Sequence, residues 1–381
     1  MSARLLFVVN IPRFFVSHRL PLALAAQEAG YDVHVATADD DAASLSRIRA
    51  EGLTLHPIPL VQHGRRPTAE LRTLIALVLL YRRLRPDILH HVTIKPLIYG
   101  GIAARLTGRR AVIAAMSGLG REFRDATGRV RRPGIMLRLA LRLALPRRTT
   151  HLLFQNEDDL QVFRDLGLSS SSRSTLVRGS GVDLQRFPHS LEPAPTSTGP
   201  VVLFAGRLMW QKGLGTFVEV AERLSDVARF HVAGYSEAGS PDAVSIDQLQ
   251  SWAEKGWVVW LGARDDMPEV VAAANIVALP TVYGEGVPKT LIEAAASGRA
   301  IVTSDAPGCR DICRDEINGL LVEPGDVDDL ERAIRRLVTD PQLRQRMGAA
   351  GRRIVEDEFS VERVISETLT LYERVLRSDQ A

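Results

Sequence analysis

The chain has 381 residues, 45% hydrophobic and 24% charged. At roughly 150 residues per domain this length suits two or three domains, and the mixture is that of a globular chain, not a disordered one. Gly 29 and Pro 20 exclude collagen-like and low-complexity classes.

In chain order, Leu5–Val9 predicts a buried strand, Leu20–Ala29 a helix, Asp32–Thr37 a second, edge-like strand and Leu53–Ile58 a third. A helix is expected over Ala69–Arg83, then strand Asp87–His90, helix Tyr99–Arg105 and strand Ala111–Ala115. His151–Gln155 is a strand, and Asn156 caps a helix Glu157–Leu166. The stretch from Phe187 to Pro200, FPHSLEPAPTSTGP, has no periodicity and predicts a linker. After it come strands Val201–Ala205, Arg229–Ala233, Val258–Leu261, Ile276–Leu279 and Ala300–Thr303. Helices Phe217–Leu224, Pro268–Ala274 and Thr290–Ser297 alternate with them, and Val361–Arg377 is one more helix. This alternation predicts an α/β fold of two Rossmann-like, doubly wound domains facing a cleft. The expected boundaries are 1–186, a linker 187–200, 201–360 and a closing helix 361–381.

Residues 1–200 hold 28 Lys and Arg against 16 Asp and Glu, a net +12; residues 201–381 hold 20 against 29, a net −9. Two halves of opposite sign suggest domains with different partners. No apolar run reaches the ~18–20 residues that span a bilayer, and Leu5–Val9 is too short for a signal-peptide core. With only Cys309 and Cys313, a disulfide framework and a zinc site are not expected. These features predict a cytoplasmic chain.

Two stretches carry chemistry. Gly206-Arg207-Leu208-Met209-Trp210-Gln211-Lys212-Gly213 follows a strand and leads into a helix. Two cations beside a glycine-flanked helix start make an anion site. It is not a Walker loop. In Gly284-Glu285-Gly286-Val287-Pro288-Lys289-Thr290-Leu291-Ile292-Glu293, Glu285 lies in a Gly-rich loop after a strand and Glu293 in the next helix, among apolar neighbours. A carboxylate so placed needs a partner, and a sugar diol is a good one.

EGVPKTLIE, preceded by AGRLMWQKG, resembles the retaining nucleotide-sugar glycosyltransferases of family 4, which have the GT-B fold. WLGARDDMPEVVAAANIVALPTVY, SGRAIVTSDAPGCRDI and NGLLVEPGDVDDLERAI fall in the same order. HHVTIKPLIYGGIAARL, AMSGLGREF and FQNEDDL resemble the bacterial members that add a sugar to a saccharide on undecaprenyl diphosphate. The resemblance implies a basic, membrane-facing, acceptor-binding first domain, a nucleotide-sugar-binding second domain and a closing helix that is a candidate to cross back to the first. Arg207, Lys212 and Glu285 would be catalytic. Gly206, Gly286, Val287, Glu293, Arg264 and Met267 would bind the donor, with UDP favoured, Glu293 on the ribose and uracil near Arg264 and Met267. Asp305 and Gly308 are further candidates. Ser117 stands where many members have a histidine, so no imidazole acts there. Ser117, Gly118, His18, His91 and Lys95 are candidate acceptor or sugar contacts, and His90 another candidate.

The implied enzyme is a hexosyl- or N-acetylhexosaminyltransferase that needs no cofactor or metal. Asp39–Asp41 and Asp265–Asp266 predict loops or helix starts, not metal ligands. Arg129–Arg148 holds seven arginines and no acid, which suits a helix resting on an anionic membrane or a core helix with snorkelling arginines. The expected location is therefore the inner face of the cell membrane. A soluble small-molecule acceptor is the alternative. An oxidoreductase would need GxGxxG after the first strand, where Asn10-Ile11-Pro12-Arg13-Phe14 stands. No nucleic-acid-binding signature is present.

Overall fold

A computed structural model describes residues 2–60, 67–123, 130–145, 150–195, 198–237 and 239–380. They fall in two compact units. The first runs to Glu122, resumes over Arg132–Ser180 and takes in the chain from Glu362 onward. The second holds Phe123–Arg131 and Gly181–Val361.

Strands β1 (Arg4–Val9), β2 (Asp32–Thr37), β3 (Thr54–Pro57), β4 (Ile88–Val92), β5 (Val112–Ala115), β6 (Thr150–Phe154) and β7 (Ser174–Leu176) build the first sheet. Its order is β3-β2-β1-β4-β5-β6-β7, parallel throughout. β4, β5 and β6 are buried along their whole length, as befits parallel strands covered on both faces. The helices of this unit are α1 (Pro12–His18), α2 (Leu20–Glu28), α3 (Ala42–Ala50), α4 (Pro67–Leu84), α5 (Ile94–Leu106), α6 (Ile135–Ala144) and α7 (Glu157–Asp165). As expected, Asn156 caps α7, its side chain accepting from Asp159 N at 2.8 Å.

The second unit repeats the plan. Its elements are β8 (Val201–Ala205), α8 (Leu214–Arg223), β9 (Arg229–Ala233), α9 (Ile246–Glu254), β10 (Val259–Gly262), α10 (Met267–Ala272), β11 (Ile276–Leu279), α11 (Lys289–Ala296), β12 (Ala300–Ser304), α12 (Cys309–Ile312), β13 (Gly319–Val322), α13 (Val327–Thr339) and α14 (Pro341–Glu358). The sheet order is β10-β9-β8-β11-β12-β13. The last helix, α15 (Val361–Gln380), packs Leu371, Tyr372 and Val375 into the core of the first unit.

Some elements depart from the sequence pattern. α1, PRFFVSH, opens on a proline suited to the first helical position, but is otherwise short and rich in aromatic and β-branched residues, with little helical signal of its own. Tertiary packing holds it, with Phe15 edge-on to Phe7 at 5.7 Å. β13 is four residues long and begins at the Gly of Asn318-Gly319, a turn signal. β2 lies between β3 and β1 and is not an edge strand. Asp41, next to it, caps α3 by accepting from Ser44 N at 3.2 Å. Cys309 and Cys313 are free, buried thiols one turn apart, and burial pushes Cys309 up to about 12.

The segment 187–200, expected to be a linker, is bonded to the second unit. Phe187 is buried in its core. Glu192 Oε1 accepts from Arg344 Nε at 2.6 Å and from Asn275 Nδ2 at 2.6 Å, and Asn275 Oδ1 accepts from Val201 N at 2.8 Å. The composition is loop-like, yet Glu192 is answered by fixed partners. Removing Glu192 would leave the buried Arg344 without its carboxylate. Glu192→Ala should therefore destabilise the second unit by about 3 kcal/mol or more, with Glu192→Gln losing less because it still accepts hydrogen bonds. Denaturant unfolding of the three proteins measures this.

Candidate functional site

In open α/β sheets, ligands bind beyond the carboxyl ends of the strands where the strand order reverses. In the second unit that point lies between β8 and β11. The loop after β8 ends at Gly213, with φ +77°, and a Cβ there would stand inside the carbonyl oxygen of Pro280. Only glycine allows that approach. Thr281 Oγ1 and Val282 N then donate to Gln211 O at 3.1 and 3.0 Å, fastening the two loops together. Lys212, the last residue of a short 3-10 turn, is thereby carried to Glu285, and its Nζ bonds Glu285 Oε1. Thr281 Oγ1 lies 3.2 Å from the same oxygen, an alternative acceptor for its one proton.

On the next strand end, Glu285 N donates to Pro307 O at 2.9 Å. Gly308 has φ +81° and lies so close that a Cβ would overlap Gly286 O. The loops after β8, β11 and β12 thus share one packed corner. On the other side of β8, Arg207 Nη1 bonds Glu237 Oε2 at 3.1 Å. Glu237, in the loop after β9, has no motif to mark it in the sequence. Gly206 N donates to Ala233 O and Leu208 N to Tyr235 O, both at 3.0 Å, which sets that contact. α8 opens at Gly213 with no side-chain cap, so its first N–H groups remain available to an anion.

Glu293 is 8% exposed on α11, among Leu291, Ile292 and three alanines. Burial raises its carboxyl above the usual range, while the Lys289 ammonium at 3.4 Å opposes that shift. Lys289 is the partner that the sequence pattern left unnamed. Arg264 and Met267 lie after β10, the edge strand. Arg264 is paired with Asp266, its Nε donating at 2.7 Å, and the strand it follows is two removed from β8. Arg310 Nε pairs with Asp305 at 2.9 Å beside the Gly308 corner. The structure thus joins Lys212 to Glu285 and Arg207 to Glu237, and leaves Arg264 bonded apart from both. Among the described residues no cluster of three or more His, Cys, Asp or Glu side chains could hold a metal ion.

In the first unit, Ser117 and Gly118 follow β5. Ser117 Oγ accepts from Arg19 Nη2 at 3.2 Å, and Arg19 Nη1 donates to His18 O at 3.1 Å. The His18 ring stacks on Phe14 at 4.1 Å. Lys95 Nζ pairs with Glu70 Oε1 at 3.0 Å. His90 and His91 do not face a strand-end site. They alternate on a central strand covered on both faces. His91 is 0% exposed, its Nε2 2.9 Å from Tyr81 Oη. His90 Nδ1 lies 2.6 Å from Tyr372 Oη, its ring stacked on Phe7.

Residues 4–156 match the family model described as glycosyl transferase 4-like, and residues 199–340 the model described as glycosyl transferases group 1. The chain is 26% identical, over 94% of its length and 96% of the relative's, to N,N'-diacetylbacillosaminyl-diphospho-undecaprenol alpha-1,3-N-acetylgalactosaminyltransferase of Campylobacter jejuni. It is 25% identical, over 80% and 79%, to UDP-Gal:alpha-D-GlcNAc-diphosphoundecaprenol alpha-1,3-galactosyltransferase of Escherichia coli. Among solved structures, sucrose-phosphate synthase from Thermosynechococcus elongatus superposes with a TM-score of 0.80 at 18% identity, over 99% of this chain and 100% of that one. Anabaena HepE in complex with UDP and glucose gives 0.77 at 18%, over 97% and 100%. These likenesses bear out the GT-B fold.

The buried histidines make stability sensitive to acid. Burial holds His91 neutral down to about 3, whereas the unfolded chain protonates below about 6.5. Unfolding therefore takes up a proton, and stability falls as pH drops from 6.5 toward 4, by about 1.4 kcal/mol per pH unit from this ring. His91→Gln keeps a hydrogen-bonding group for Tyr81 and should flatten the slope by one proton. Urea unfolding at stepped pH gives that slope.

Proposed function

As a glycosyltransferase of the group 1 and 4-like families, with the GT-B fold, this chain carries a donor site that we propose lies at the ends of β8, β11 and β12. The observation that carries this reading is the junction of Lys212 with Glu285 and of Arg207 with Glu237 at the strand-order reversal. A nucleotide diphosphate entering there exchanges the carboxylate partners of both cations for its own oxygens. Arg207 and Lys212 then stabilise the charge that develops on the leaving diphosphate as the glycosidic bond breaks. Glu285 faces the donor sugar beside the backbone of Gly286 and Val287, and Glu293 accepts from the ribose hydroxyls. Arg264 and Met267 lie toward the base, with UDP the favoured donor. The transfer retains the anomeric configuration, and the two cations serve where a metal would.

The acceptor is a saccharide on a lipid diphosphate. Support comes from the two relatives whose names carry diphosphoundecaprenol-linked sugars and which align over most of this chain. A membrane-bound acceptor calls for a surface that rests on the membrane. α6 buries only Leu141 and Ala144 and exposes Ile135, Met136, Leu139 and Leu143. That is not a core helix. α4 and α6 both pack on α5, and α4 exposes Leu71, Ile75 and Leu79 along one stripe. Arg138 and Arg142 lie among the apolar residues of α6, at the depth where phosphates would be. Arg129, Arg147 and Arg148 are outside the described residues. Among the described residues no helix is long and apolar enough to cross a membrane.

Arg207→Ala and Lys212→Ala should each lower kcat/KM by about 100-fold or more with the fold intact, the scale of losing a transition-state charge contact. The assay is transfer from UDP-sugars to a lipid-diphosphate sugar in the presence of EDTA. Near-normal turnover by both variants contradicts the site, and loss of wild-type activity in EDTA with recovery on Mg²⁺ or Mn²⁺ contradicts the metal-free mechanism.

Co-sedimentation with anionic vesicles tests the surface. Wild type should bind, and less so at 1 M salt, where the Debye length is about 3 Å. Arg138→Glu with Arg142→Glu should abolish the salt-sensitive part, since each cation contributes about 1 kcal/mol. Absence of vesicle binding by wild type rules the surface out.

A further inference from the structure

Arg19 sits at the junction of α1 and α2 and is 4% exposed. Its Nε has no hydrogen-bond partner among the described residues. Its other bonds go to neutral acceptors, Ser117 Oγ and His18 O. The groups that act on it electrostatically are also neutral. Tyr372 is a phenol held protonated by burial, and burial together with the Arg19 charge drives His90 to its neutral form. Desolvation lowers Arg19 itself to about 10, still charged at neutral pH. A buried cation facing no carboxylate costs several kcal/mol, and an apolar side chain would fill the space without that cost.

The neighbouring backbone is arranged around the same corner. A guanidinium only donates hydrogen bonds, so Ser117 Oγ is the acceptor and its own O–H points elsewhere. Ser117 is half-buried, so that donor has a way out to a ligand. Beside it, Thr93 N donates to Ala115 O at 3.1 Å, and Thr93 Oγ1 bonds Asn10 Oδ1 at 2.9 Å across the β1–β4 order reversal. Thr93 has φ +72° and ψ +168°, a region that essentially only glycine enters freely, and a β-branched residue there stores about 1–3 kcal/mol of strain. Turned away to Asn10, the Thr93 side chain makes no cap bond to the 13-residue α5, whose own first turn holds no acid, although Lys95 within it pairs with Glu70 of α4. That helix end favours an anion.

We propose that Arg19, Ser117 and the N-terminus of α5 form an anion subsite in the first unit, for the oxygens of a diphosphate ester. Arg19 is a positioning residue. It holds Ser117 as an acceptor, turns the serine proton toward the ligand and supplies an uncompensated positive charge beneath it. The subsite deepens the proposed function, and rests on that reading only for which substrate bears the diphosphate.

The test uses the full chain carrying Arg207→Ala and Lys212→Ala, which removes the cations of the second unit, and titrates it with inorganic pyrophosphate by calorimetry. Binding should persist in this background and weaken at least 10-fold when Arg19→Met or Ser117→Ala is added. Arg19→Met should melt no lower than its parent, because replacing an unpaired buried charge by an apolar side chain is commonly neutral or stabilising. If pyrophosphate does not bind the background protein, or binds both added variants equally well, the subsite is wrong. If Arg19→Met fails to fold, Ser117→Ala alone decides. In the otherwise unaltered enzyme, Ser117→Ala should raise by at least 10-fold the KM of whichever substrate supplies the diphosphate, the lipid-linked acceptor or the nucleotide donor. A rise in neither overturns the proposal. Failure of the transferase reading is distinct: wild type would transfer no sugar while pyrophosphate binding and its loss on Ser117→Ala remained.

Discussion

Three loops of the second unit meet with no room for a side chain between them. The carbonyl oxygen of Pro280 occupies the place of a Cβ on residue 213, and that of Gly286 the place of a Cβ on residue 308. The Lys212–Glu285 pair follows from that contact. Because Gly213 can turn to φ +77°, Lys212 ends its short turn against the loop after β11 and meets Glu285. Because Gly308 yields, the loop holding Glu285 and Gly286 lies down on the end of β12. The charged groups are set by backbone packing, and their geometry does not rely on long, flexible side chains finding one another.

Much of this was legible in the residues. Alternating apolar runs identify most strands of both sheets, since a parallel strand covered on two faces must be apolar nearly throughout. The cations at 207 and 212 and the carboxylates at 285 and 293 stand out because charge next to glycine or alanine has little structural use. Other parts left no local mark. Glu237 is an ordinary acid in an ordinary loop, and only the β8–β9 pairing brings it to Arg207. α1 contradicts its own propensities and forms because Phe15 has a place against Phe7. His90 and His91 look like chemistry in sequence, whereas on a central strand their rings complete two opposite faces of the core. The Pro-rich stretch before β8 has the composition of a loose connection, yet Glu192 answers Arg344 and Asn275. Composition reports that a segment lacks a ladder, not that it lacks partners.

Positive charge is held in two ways. In the second unit, Arg207, Lys212, Lys289, Arg264 and Arg310 each stand against a carboxylate. In the first, Lys95 is paired with Glu70 in the same way, whereas among the described residues Arg19 is buried against neutral groups, the Phe14 ring included. Residues 1–200 carry a net +12, and the exposed faces of α4 and α6 join some of that charge to bare apolar side chains. Paired charge of the first kind is exchangeable, because an incoming anion replaces a partner already present. Unpaired charge of the second kind is a standing cost, which only a bound anion relieves.

The pairing of cations with carboxylates around Lys212 has a kinetic side. A set of ion pairs with no net charge projects little field beyond a few ångströms, and it sits in a half of the chain whose formal charge is −9. Such a site does not draw an anionic nucleotide from a distance, and long-range steering, which can raise capture rates by 10–1,000-fold, contributes little. At the proposed donor site, capture is then governed by diffusion and by the exchange of one carboxylate for another oxygen at short range. On the proposed reading, ionic strength acts mainly on the basic half of the chain, where added salt shortens its dwell on a charged surface.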